Sequence, residues 1–109
     1  MNVQGLIFTL TSVSSVLSSP FYDTLLSDDR LMPNELQGTR QYAAQLVADL
    51  KATPTEKLEP LVAQYDDELT EQLNKFQGEW TADRYSGFRN AQAMFGLVAS
   101  IFNRANIVA

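Results

Sequence analysis

Apolar residues recur along most of this chain at the spacing of an α-helix, and prolines and glycines divide the pattern into segments. In the first segment Val3, Leu6, Ile7, Leu10, Val13, Val16 and Leu17 share one helical face, while serines and threonines fill the other. That spacing predicts a helix over 3–18. Serine, threonine and valine are indifferent helix formers, and Leu6, Phe8 and Leu10 also alternate as a strand would. Local preference therefore leaves residues 6–13 open between helix and strand. Ser19-Pro20 should close the segment, because the residue before a proline is pushed out of the α region.

Residues 20–32 carry Phe21, Tyr22, Leu25, Leu26, Leu31 and Met32 around Asp28-Asp29, as a short helix or loop that buries its aromatics would. Pro33 suits a first helical turn. A helix over 33–52 then places Leu36, Ala43, Leu46, Val47 and Leu50 in a narrow stripe, with Tyr42 and Ala44 at its margin. Thr53-Pro54-Thr55-Glu56 has capping-box spacing with a proline at the first helical position. A proline inside a helix costs ~3 kcal/mol, so the third helix is expected to begin at 54, kink or restart near Pro60, and run to 77. Leu61, Val62, Tyr65, Leu69, Leu73 and Phe76 form its stripe. Gly78 should end it, and Thr81 should cap a last helix over 82–104.

That last helix is apolar over more than one side. Phe88, Ala91, Phe95, Val98 and Phe102 mark its main seam, Met94, Leu97 and Ile101 widen it, and no charge falls between Asn90 and Asn103. Such a helix is either the centre of a bundle or packed against two partners at once. The first helix has a single apolar stripe to offer, so the second side is expected to meet a neighbouring chain, with Ile107 and Val108 extending the contact. The fold class is all-α: one domain over 1–109, a bundle of about four helices.

Composition narrows the chemistry. A chain of 109 residues, 45% hydrophobic and 19% charged with a net charge of -5, has the makings of one folded core. It contains neither cysteine nor histidine. Thiolate nucleophiles and sulfur-bound zinc are thereby excluded, and the usual general base and commonest transition-metal ligand are missing. The eight basic residues are dispersed, with lysine only at Lys51, Lys57 and Lys75, so no dense cationic patch marks a nucleic-acid partner. Val3 to Leu17 has no lysine or arginine before it and is broken by serines and threonines, matching neither a secretory signal nor a transmembrane segment. A soluble chain, cytoplasmic or within a particle, is expected.

Three constellations stand out. Asp66-Asp67-Glu68 with Glu71 could imitate a carboxylate metal site, but helical sites of that kind draw on several helices and a histidine, so a solvated acidic face is expected. Ser14 and Ser15 sit in a periodic helical pattern without a nucleophile elbow, and the five glycines are too scattered to cradle a phosphate. No catalytic, cofactor-binding or metal-binding residue is assigned. Trp80, Arg84, Tyr85, Phe88 and Arg89 gather at the start of the last helix, an aromatic and arginine mixture typical of interface hot spots and also of a packed helix start. Together with Met94, Leu97, Ile101, Ile107 and Val108 they form the candidate interface. The expected role is a non-enzymatic structural or assembly subunit, a homo-oligomer or a component of a large particle such as a virion. The alternative is a small acidic regulatory or inhibitory protein that binds one partner through Asp66 to Glu71.

Overall fold

The first helix, α1 (Val3–Leu17), opens on Asn2, whose side-chain oxygen accepts a hydrogen bond from the Gly5 amide at 2.7 Å. It belongs to a computed structural model that describes residues 1–27 and 29–107, with Ile107 described by its backbone alone. The ambiguity over residues 6–13 resolves as helix. Val3, Leu6, Leu10, Val13 and Leu17 bury the apolar stripe, and the hydroxyls of Thr11 and Ser12 donate to the carbonyls of Ile7 and Phe8 one turn back. Burial of the stripe thus overrides weak local propensity.

α1 ends at Ser18, ahead of Pro20, as its sequence requires. Arg40 secures that end from the next helix: its Nε donates to the Leu17 carbonyl at 2.8 Å and its Nη2 to Asp23 at 2.8 Å. A cation at a helix C-terminus complements the helix dipole. Residues Pro20–Ser27 form a 3₁₀ helix that buries Tyr22 and Leu25. α2 (Pro33–Ala52) follows with proline in its first turn, and Leu36, Thr39, Ala43, Leu46 and Leu50 face the core.

The third expected helix is two helices, and the break lies elsewhere than its proline. α3 (Thr55–Gln64) runs through Pro60, and α4 (Asp66–Glu79) starts after Tyr65. Pro60 is solvent-exposed, so the carbonyl its missing N–H leaves free can be met by water, whereas Asp66, Asp67 and Glu68 crowd the start of α4, where carboxylates favour a helix N-terminus. The expected capping box is also absent. Thr53 Oγ1 donates back to the Asp49 carbonyl at 2.8 Å, closing α2, and Pro54 precedes α3 without a side-chain cap.

Gly78 does not stop α4, which continues to Glu79. The cap of α5 (Arg84–Ile107) is Asp83, not Thr81: its carboxylate accepts from the Ser86 amide at 3.4 Å and the Ser86 hydroxyl at 2.7 Å. Those bonds hold the Asp83 carboxyl below the usual carboxylate range, with the Arg30 charge adding to the effect.

α5 is the axis of the molecule, packing against α1, α2, α3, α4 and the 3₁₀ segment. Phe88, Ala91, Met94, Phe95, Val98, Ile101 and Ala105 are buried along it. No strand occurs among the described residues, and none of their helices is long and apolar enough to cross a membrane.

Candidate functional site

The residues expected at an interface divide into three groups. Phe88, Met94 and Ile101 are 0% exposed within the single chain. They lie in the chain's own core, on a central helix that packs against four others and a 3₁₀ segment. Leu97 is half-buried against the same core. The side chain of Ile107, and Val108 as a whole, lie outside the described residues.

The aromatic and arginine cluster at the start of α5 is a clasp between α4, α5 and the 3₁₀ segment. Trp80 stacks on Phe76 with ring centroids 6.4 Å apart, Phe21 meets Trp80 edge-on at 5.9 Å, and the Arg84 guanidinium lies 4.0 Å from the Phe21 ring centre. The Tyr22 hydroxyl donates to the Trp80 carbonyl at 3.0 Å, and burial pushes its phenol up to about 12 against the opposing charge of Arg84. Gly87 makes this possible. A Cβ there would lie 2.7 Å from both the Trp80 Cα and the Tyr22 oxygen, so only glycine lets α5 come this close.

Tyr85 and Arg89 belong to a second intramolecular network, joining α5 to α2. Arg89 bonds to Glu35, to Gln92 at 2.7 Å and to the Tyr85 hydroxyl at 3.1 Å, and Gln92 donates to the buried Thr39 hydroxyl at 3.0 Å. The bond to Glu35 raises the already high pKa of the Arg89 guanidinium. Arg30 lies over the Tyr85 ring at 4.0 Å. Trp80, Arg84, Tyr85 and Arg89, then, chiefly hold the chain's own helices together.

Of the candidate residues, Trp80 also lines an apolar surface that faces outward. α1 and α4 both lie on α5 without packing extensively on each other, and an apolar groove of about 220 Å³ runs between them. α1 contributes Phe8, Thr9, Ser12, Val13 and Val16; the other wall is Leu73, Phe76 and Gln77, with Trp80 at the end. Phe8 is 74% exposed, the most exposed of the four large apolar side chains at the surface among the described residues, the others being Leu26, Met32 and Tyr42. At ~100° per residue it points away from the buried stripe of α1.

None of the nine residues lining this groove is charged, whereas the four other depressions described on the surface each include a carboxylate. One of those is the acidic side of α4, lined by Asp66, Asp67, Glu71 and Lys75. There Asp66 accepts from the Met1 amino group and Lys75 pairs with Glu71 at 3.6 Å. Among the described residues no group of three or more carboxylates is close enough to hold a metal ion. Comparison with protein-family models, curated proteins and solved structures finds no match for this chain.

The signal for the groove was present in the sequence. Phe8 is the one large apolar residue on the Ser/Thr side of α1, but its alternation with Leu6 and Leu10 made it read as part of a possible strand. The α4 wall needed the fold, because nothing in one sequence says which two helices will leave a gap.

Proposed function

We propose that this chain is a non-enzymatic assembly subunit that works through helix-mediated protein contacts, with the groove between α1 and α4 as its contact surface. The observation that carries the reading is Phe8, held at 74% exposure on the rim of a charge-free apolar groove. An exposed apolar residue alone is ordinary; one joined to a continuous apolar depression is how contact surfaces are built. Lack of histidine and cysteine leaves carboxylates, lysine and tyrosine as the acid-base groups, which favours contact over catalysis.

Native mass spectrometry of protein taken from its source tests this. The expected result is a complex heavier than the single chain, lost when Phe8 is replaced by aspartate. A chain recovered alone at every concentration would contradict the proposal. The exposed carboxylates Asp67, Glu68 and Glu71 support the second reading, an acidic inhibitor. It predicts a complex that survives the Phe8 substitution and dissociates in salt.

A further inference from the structure

We infer that the partner of the α1–α4 groove is a second copy of this chain, docked about a two-fold axis so that each Phe8 enters the other copy's groove. The inference rests on the reading of this face as a contact surface and goes on to say what covers it.

Size points to a side chain as the occupant. A groove of about 220 Å³ falls below the ~300–1,000 Å³ of small-molecule sites but can accept an aromatic ring. The patch carries both a projecting aromatic, Phe8, and a hollow floored by Val13 and Phe76. A patch with plug and hollow together is self-complementary, which is what an isologous two-fold contact requires.

Charge permits the same partner. Each copy carries a net charge of -5, so two copies repel wherever their charged faces approach. The stretch between Met1 and Asp23 contains no aspartate, glutamate, lysine or arginine, and the groove has none either. Here alone among the described depressions can two acidic molecules meet without burying an unpaired charge.

The polar side of α1 is also prepared for covering. Thr11 and Ser12 give their hydroxyl protons to the carbonyls of Ile7 and Phe8, at 2.7 and 3.0 Å. Their donors are satisfied before any partner arrives, so excluding water strands none of them. Both residues are small, and a second α1 can approach closely across them.

Area sets the strength. A helix of 15 residues is ~22 Å long, and two helix widths make ~20 Å, giving roughly 450 Å² per copy. A pair would bury roughly 900 Å², above most crystal-packing contacts and below the ~1,200 Å² of stable complexes. A contact of that size belongs with weak, reversible associations.

Sedimentation of the purified chain from micromolar to millimolar concentration tests the inference. Expected is a monomer–dimer equilibrium that Phe8→Asp weakens at least ~30-fold, the loss typical of a central hot spot. Salt should tighten it by screening the net charges. Ser12→Lys, which sets a charge on the groove wall that Phe8 enters, should likewise be monomeric. A chain that stays monomeric to millimolar concentration overturns the inference, and a heteromeric complex from the source would then still support the assembly reading. A dimer that withstands Phe8→Asp or Ser12→Lys, or that weakens in salt, also overturns it, leaving assembly through another surface.

Discussion

Trp80 stands between two regions of similar composition and opposite behaviour. On one side is the clasp, where Phe21, Tyr22, Phe76 and Arg84 close around it; on the other is the groove, where Phe8 projects over Val13 and Phe76. Both are rich in aromatics. In the clasp, rings stack on rings, a hydroxyl meets a carbonyl, and a glycine lets one backbone settle on another. In the groove the apolar atoms of α1 and α4 have no helix between them. Aromatic content alone therefore does not tell a core from an uncovered surface. What separates them is whether the fold provides an intramolecular cover.

The sharpest way to break the comparison is to damage the clasp and ask whether the groove notices. Gly87→Val places carbon where the Trp80 backbone and the Tyr22 oxygen already stand at 2.7 Å. Overpacking against backbone should cost about 3 kcal/mol and lower the melting temperature by ~10 °C or more, measured by circular dichroism. A melting temperature within ~2 °C of the parent would mean that α4 and α5 are not closely opposed.

Tyr22→Phe is a milder test of the same region. Loss of the hydroxyl leaves the Trp80 carbonyl without its donor and should cost ~1–2 kcal/mol in denaturant unfolding. It should also change the alkaline limb of stability. Folded Tyr22 keeps its proton up to about 12, while the unfolded chain releases it near 10. Between those values the folded state binds more protons, so stability is complete below pH 10 and falls as pH rises toward 12. The phenylalanine variant should show a flatter decline over that window; an identical decline would place the titration on another group.

How much of this was legible beforehand follows the strength of each local signal. The stripes of α1, α2 and α5 could be read because burial imposes a regular spacing, and Pro33 marked the start of α2 because its ring fits a first turn. The wrong boundaries were those where two local signals compete. Thr53 and Thr81 look like caps, but Thr53 bonds backward to Asp49, and Asp83, two residues beyond Thr81, binds Ser86 instead. Pro60 looks like the break, yet an exposed proline is tolerated and the chain turns at Tyr65 before three carboxylates. The breadth of apolar surface on α5 could be read, but the four helices and the 3₁₀ segment that pack on it needed the fold, because periodicity along one helix does not count the helices around it.

The smallest effect on stability is expected at the residue we propose as the contact. Phe8 buries little within the chain, so Phe8→Ala should change unfolding free energy by no more than ~0.5 kcal/mol in dilute solution. A loss above ~2 kcal/mol would show that Phe8 is part of the core and that the groove is a packing feature.

Trp80 is the only tryptophan in the chain and it lines the groove, so its fluorescence reports directly on whether that face is covered. Emission and iodide quenching should be followed from micromolar to millimolar concentration, in the parent chain and in Phe8→Asp. A parent emission that moves to shorter wavelength and becomes shielded from iodide as concentration rises, with no change in the variant, is the result this account predicts. Emission that stays constant with concentration, or shifts equally in both proteins, would contradict it.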